Sequence, residues 1–259
     1  MEKRGQVTLF VVIGIVIVLL LALILAARQT IFLPANTETL GELQQDIQDH
    51  IVTCIADVSD EPIIRIGLQG GYLNPGVDTY RLFNDTQISY LCYNMEGTQQ
   101  CRNRLLLLND METQLDEALR ADILNCVGDV QSFGRLKPIT ITTPQPLKVQ
   151  TNILQDTISV NVNYPIIITS NKDSSVNVQQ NIFRGTLEYP LGNVYRVAQD
   201  ILDQETILGD FDPLFYMIAK RGEYIITKNR PYPDKLYVIH QNNHDYQFQF
   251  FIQGQPGSE

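Results

Sequence analysis

Histidine is scarce in this chain, with only His50, His240 and His244 among 259 residues. That leaves little material for imidazole acid–base or metal chemistry. The nucleophile signatures Gly-x-Ser-x-Gly and Ser-x-x-Lys are absent, so these common patterns of covalent hydrolysis are missing. No C-x-x-C pair occurs, which argues against a structural zinc site. The glycine-rich "GLQGGY", with Gly67, Gly70 and Gly71, is not followed by Gly-Lys-Ser/Thr; it fits a tight turn and not a phosphate cradle. Positive charge is also in short supply, at 19 Lys+Arg against 29 Asp+Glu. The first 28 residues carry +2 and the chain −10, so the body beyond them carries −12. Such a body has no electrostatic footprint for nucleic acid and is repelled by anionic lipid. Nothing in the pattern calls for a cofactor.

What is present begins with an apolar run. From Gln6 to Ala27 no residue is charged, a stretch of 22. At about 1.5 Å per residue it reaches roughly 33 Å as a helix, enough for a hydrocarbon core of about 30 Å. A secretory signal peptide has a shorter apolar core, so the expectation is a retained transmembrane helix over 6–28. Lys3 and Arg4 precede the run and only Arg28 follows it before Arg65. This bias places residues 1–5 in the cytoplasm and the remainder outside the cell membrane.

Four cysteines then fall on the expected outer side: Cys54, Cys92, Cys101 and Cys126. An even count in that compartment predicts two disulfides, with three possible connectivities. "IVTCIADV" (51–58) and "ILNCVGDV" (123–130) share Ile-x-x-Cys-x-x-Asp-Val, each after an acidic amphipathic stretch. On two packed helices both sulfurs face the apolar seam, which favours Cys54 with Cys126 and leaves Cys92 with Cys101 across a tight hairpin. The echo fits two helices that each bury a cysteine, without requiring a duplication.

Periodicity sets the expected fold class: α+β, one N-terminal transmembrane helix followed by a disulfide-braced α+β ectodomain with an antiparallel sheet. Leu40, Leu43, Ile47, Ile51, Cys54, Ile55 and Val58 recur at helical spacing and predict a helix over 39–58. A second is predicted over about 110–130, capped by Asn109 or Asp110. Residues 79–101 read as short strands, with a reversal at Glu96-Gly97. From Pro138 the pattern changes to period two, with Ile158, Val160, Val162 and Tyr164 opposite Ser159, Asn161 and Asn163. Helices are predicted over about 192–208 and from Asp212-Pro213, followed by strands at "EYIITK", "KLYVIHQ" and "YQFQFFIQG". The body divides into a Cys-containing α+β region, 29–135, and a β-rich α+β region, 136–259, which form either two domains or one shared core.

Candidate sites are few. His240 and His244 in "HQNNHD" have i, i+4 spacing but lie in an Asn-rich turn between strands, so as metal ligands they are weak candidates. Asp210 and Asp212 in "GDFDP" lack further ligands at calcium-loop spacing, and Asp212 fits a helix cap. The carboxylate pairs Asp116/Glu117 and Asp200/Asp203 fit solvated helix faces. Asn84-Asp85-Thr86 is the sole N-glycosylation sequon. Tyr-Pro pairs at 164–165, 189–190 and 232–233 mark bends or cis bonds at strand ends. Catalytic residues are not identified, and an enzyme is the less favoured reading.

The opening "KRGQV", followed by its apolar run, resembles the class III signal peptide of archaeal type IV pilin-like proteins. That resemblance covers about 25 residues and implies a peptidase cut after Gly5, with Gln6 as the new N-terminus. The body looks like uncharacterised single-pass surface proteins of small-genome archaea, a likeness that implies location and no activity. The leading expectation is a non-enzymatic, membrane-anchored cell-surface protein with a structural or adhesive role. The alternatives are a processed filament subunit and an anchored extracytoplasmic enzyme or ligand-binding module. The expected partners are the membrane and either further copies of the chain or other surface proteins.

Overall fold

A computed structural model describes residues 15–20, 37–94, 101–135, 139–171 and 177–254. Over these the chain is α+β, with antiparallel-rich sheets and two cysteine pairs at disulfide distance. The expected fold class is corrected in its first element: among the described residues no helix is long and apolar enough to cross a membrane. Of the run 6–28 only 15–20 is described, helical and exposed. The remainder of the run, the leader 1–5 and the Glu96-Gly97 reversal lie outside the described residues.

The body is organised by one long helix, α1 (Thr37–Leu68). Leu40, Leu43, Ile47, Ile51, Cys54 and Ile55 are all buried, as their spacing dictates. The helix does not stop at Val58, however, but runs on through Pro62. A proline inside a helix costs about 3 kcal/mol. Burial offsets that cost: Ile63 and Ile66 are fully enclosed, and the hydroxyl of Tyr246 donates to the Ile63 carbonyl at 3.2 Å. Just upstream, the buried Ser59 hydroxyl donates back to the Ile55 carbonyl at 2.6 Å.

A hairpin follows, β1 (Tyr80–Phe83) and β2 (Thr86–Asn94), then β3 (Cys101–Asn103), paired with β2. Asn84 and Asp85, with φ of 46° and 61°, form the two-residue turn whose twist suits a hairpin. Helix α2 spans Leu108–Val127, two residues earlier than expected at its start and three at its end. Its N-cap is Leu107, with no side-chain cap, and Asp129 instead caps the 3-10 turn Val130–Gly134.

Four strands form the first sheet: β4 (Ile139–Thr142), β5 (Lys148–Ile153), β6 (Ile158–Ser170) and β7 (Asn177–Leu187). β6 is flanked on one side by β4 and β5 and on the other by β7, all antiparallel. Tyr164-Pro165 lies inside β6, not at its end. The β6–β7 register shifts between Asn163 and Ile166, a bulge at the position where proline has no N–H to donate.

Helix α3 (Leu191–Leu208) begins at Tyr189-Pro190, and α4 (Pro213–Ala219) is capped by Asp212, whose carboxylate accepts the Phe215 N–H at 3.1 Å. Strands β8 (Tyr224–Asn229), β9 (Lys235–Gln241) and β10 (Gln247–Ile252) complete the second sheet, ordered β1-β2-β10-β9-β8 with β3 beside β2. Among the described residues only the β2–β10 pair is parallel. The third Tyr-Pro pair, 232–233, is cis and lies between β8 and β9. The N-terminal half of α1 packs on β6 and β7, and its C-terminal end on β10. Buried side chains of 29–135 and 136–259 thereby join in one connected core running from Leu40 to Ile252.

Candidate functional site

A concavity lies where the exposed flank of α1 faces the β1–β2 hairpin. It is a groove of about 650 Å³ lined by Asp60, Glu61, Ile64, Leu68, Leu82 and Asp85, with Arg65 and Gln87 beside them. Helix periodicity produces this flank: Ile63 and Ile66 point into the core, so Ile64 is left outward, 43% exposed. Across the groove, Leu82 of β1 is 63% exposed. The rim is acidic, and Asp60 is held in place by the Tyr189 hydroxyl, which donates to it at 2.9 Å. Burial and that carboxylate push the Tyr189 phenol up to about 12. Glu61 pairs with Arg65 at 3.4 Å, so the apolar floor is edged by a rim that is net acidic and suits contact with a surface that is apolar and carries basic groups.

Elsewhere the polar groups are already engaged in holding the fold. Asp234, buried at the start of β9, accepts Arg81 at 2.6 Å, the Tyr90 hydroxyl at 2.7 Å and the Gly254 N–H at 3.0 Å. Arg81 also donates to the Pro231 carbonyl at 2.9 Å. Burial, reinforced by Asp234, raises the Tyr90 pKa. Beside Asp234, also at the start of β9, buried Glu205 of α3 accepts the Tyr237 hydroxyl and the Lys235 ammonium, the latter at 2.7 Å. Lys235 and Lys228 both reach Asp210. Burial pushes Asp210 up, but the two lysines outweigh it and hold its carboxyl at about 2. Asp210 is thus an ion-pair anchor, not a calcium ligand, and Asp212 is a helix cap.

The cysteines lie in pairs. Cys54 and Cys126 join α1 to α2 with a Cα separation of 5.7 Å, and Cys92 and Cys101 join β2 to β3 at 5.2 Å. Asn84 is exposed at the tip of the β1–β2 hairpin, beside the groove. His240 sits within β9, between Ile225 and Gln247, where burial lowers its pKa. His244 is in the following turn with both ring nitrogens taken: Nδ1 accepts the Tyr246 N–H at 3.0 Å, and Nε2 lies 2.8 Å from the Glu188 carbonyl, to which it donates. Among the described residues no cluster of three or more His, Cys, Asp or Glu is arranged to hold a metal. Gly5 and Gln6 lie outside the described residues.

Two of the carboxylates read as solvated do structural work instead. Asp116, together with Glu112 one turn earlier, accepts the Thr151 and Ile153 N–H groups at 2.5 and 2.7 Å. Helical i, i+4 spacing here matches the i, i+2 spacing of N–H groups along β5, so α2 closes the free edge of that strand. Burial raises the Asp116 pKa. Asp200 accepts the Tyr216 hydroxyl at 2.6 Å, tying α3 to α4. Glu117 and Asp203 are exposed.

Sequence reasoning missed the groove and the Arg81–Asp234 pair. The pair spans 153 residues and carries no local signal. The groove had one trace, Ile64 out of phase with the buried stripe of α1. No family model, curated protein or solved structure matches the chain.

Proposed function

We propose that the protein is a non-enzymatic cell-surface protein whose disulfide-braced α+β body makes structural or adhesive contacts through the groove between α1 and the β1–β2 hairpin. The observation that carries this reading is the groove itself, with exposed Ile64 and Leu82 on its floor and Asp60, Glu61 and Asp85 at its rim. Two cysteine pairs at disulfide distance support an oxidising compartment. The apolar composition of residues 6–27 supports attachment to the membrane.

The test is made on the full chain in its own cells. A membrane-impermeant amine reagent should label the protein on intact cells, and Leu82→Glu should lower cell-to-cell or cell-to-surface adhesion at least about tenfold without changing its abundance. Labelling only after lysis overturns the location, and unchanged adhesion overturns the groove. A processed filament subunit remains the second reading, supported by Arg4-Gly5-Gln6. Mass analysis of the mature N-terminal peptide decides it: a start at Gln6 supports processing, and an intact Met1 or Glu2 start excludes it.

A further inference from the structure

A polar cleft lies where α3, the end of α4 and the start of β8 meet. Its volume is about 380 Å³, at the small end of the roughly 300–1,000 Å³ of small-molecule sites. Four charged side chains line it: Arg196 and Asp200 from α3, and Lys220 and Glu223 from the turn between α4 and β8.

These charges stand together without neutralising one another. Among the described residues neither Arg196 nor Lys220 forms an ion pair. Helical i, i+4 spacing offers Arg196 to Asp200, yet each is drawn to a neutral partner instead. Arg196 donates to the side-chain oxygen of buried Asn193. The Asn193 amide is locked in turn, donating to Asp156 at 2.6 Å and to Gln241 at 3.1 Å. Asp200 accepts the hydroxyl of buried Tyr216 on Oδ2 at 2.6 Å, and the Lys220 ammonium lies 5.4 Å from the centre of the same ring. Glu223 meets the Tyr224 hydroxyl; burial, with that contact, raises the phenol to about 12.

Two cations and two carboxylates are thus oriented in one cleft by asparagine and tyrosine, and not by each other. A simple anion entering it meets the cations but is opposed by Asp200 and Glu223. A simple cation is opposed by Arg196 and Lys220. A molecule carrying both signs satisfies all four groups, and no salt bridge has to break to admit it. The guanidinium fork suits a carboxylate, and the carboxylates suit an ammonium.

We propose that this cleft binds a small zwitterion of the α-amino acid class, its carboxylate on Arg196 and Lys220 and its ammonium on Asp200 and Glu223. The inference does not rest on the groove between α1 and the β1–β2 hairpin, because the two share no residue.

The test uses the full chain in mild detergent, titrated by calorimetry with the common α-amino acids one at a time. Acetate and methylammonium serve as single-charge probes. At least one amino acid should bind with a Kd below about 1 mM, and both single-charge probes should bind at least about tenfold more weakly. Arg196→Gln keeps a donor for Asn193, and Asp200→Asn keeps an acceptor for Tyr216. Each should weaken binding at least about tenfold, because a charge-assisted contact to the ligand is lost. Circular dichroism identical to the parent shows that the variants are folded. Absence of binding by every amino acid overturns the proposal. Acetate or methylammonium binding as tightly as the best amino acid, or an affinity unchanged in either variant, equally overturns it.

Discussion

Strands β4–β7 turn one face to α1 and α2 and the other, with Asn161, Asn163, Gln179 and Arg184, towards solvent. Strands β9 and β10 bury side chains on both faces, whereas β8 at the sheet edge leaves Ile225 and Thr227 exposed. Phe248 and Phe250 join the main core, while Phe251 packs with Ile88 and Leu236 in a second cluster on the opposite side. The one-sided sheet thus depends on helix docking, through the Cys54–Cys126 link, the Asp116 and Glu112 hydrogen bonds to the edge of β5, and the close approach of α1 to β7. Strands β9 and β10 have aromatic packing of their own, and two ionic locks meet at the start of β9, Asp234 reaching Arg81 of β1 and its neighbour Lys235 reaching Glu205 of α3. Two sheets in one core are therefore stabilised by different physics, and perturbation should separate them.

The largest separation is expected from the cysteines. Removing the Cys54–Cys126 link, which closes a 72-residue span, should cost ~4 kcal/mol, against ~2.5 kcal/mol for the 9-residue Cys92–Cys101 span, by the loop-entropy relation. Urea unfolding of the two Cys→Ser double variants measures both, and equal losses would show that helix docking does not depend on the long link. Next comes Glu205→Ala, which leaves the Tyr237 hydroxyl and Lys235 without their carboxylate. A loss of about 3 kcal/mol is expected, with hydrogen-exchange protection falling in β8–β10 before β5–β7.

Gly185→Val should act on the other sheet. A Cβ at Gly185 would lie 2.5 Å from Ile55 Cγ2, so α1 must move off β7 at a cost of about 2 kcal/mol, with exchange protection lost first in β6 and β7. The smallest effects are those of pH. Tyr189 and Tyr224 are raised to about 12 from 10.0, chiefly by burial, so the unfolded state ionises first. Their contribution is complete below pH 10 and is lost as pH rises toward 12, which absorbance at the phenolate band alongside circular dichroism will follow. Asp210 behaves oppositely: its contribution is present above about 3.8 and lost as pH falls toward about 2. More than half of its side chain is exposed, so the effect should stay under about 1 kcal/mol in an acid titration of the Asp210→Asn variant.

Legibility in the sequence followed the same division. β6 was readable because one wet face imposes strict alternation, and α3 and α4 because their apolar spacing and the Asp212-Pro213 start are local features. β10 was readable only in part. Tyr246, Phe248, Phe250 and Ile252 were assigned to one buried face, but Phe251 is buried as well, against residues contributed by β2 and β9. The end of α1 was placed ten residues early, because the apolar stripe was followed only to Val58, and the burial that carries the helix on through Pro62 comes from Tyr246 and β10, more than 180 residues on. Asp116 and Asp200 looked solvated because a carboxylate on a helix face carries no mark of the strand or tyrosine it will meet.

By itself, the sequence determined the acidic body, the α+β class of that body, the two cysteine-bearing helices and most strand positions. These follow from composition and from periods of 2 and 3.6, which depend only on neighbouring residues. Tertiary structure alone decided the continuation of α1 through Pro62, the Arg81–Asp234 lock, the groove beside the hairpin and the polar cleft between α3 and β8. Each of these depends on which distant surface a side chain meets or fails to meet, and that is set by how the helices and two sheets share one core.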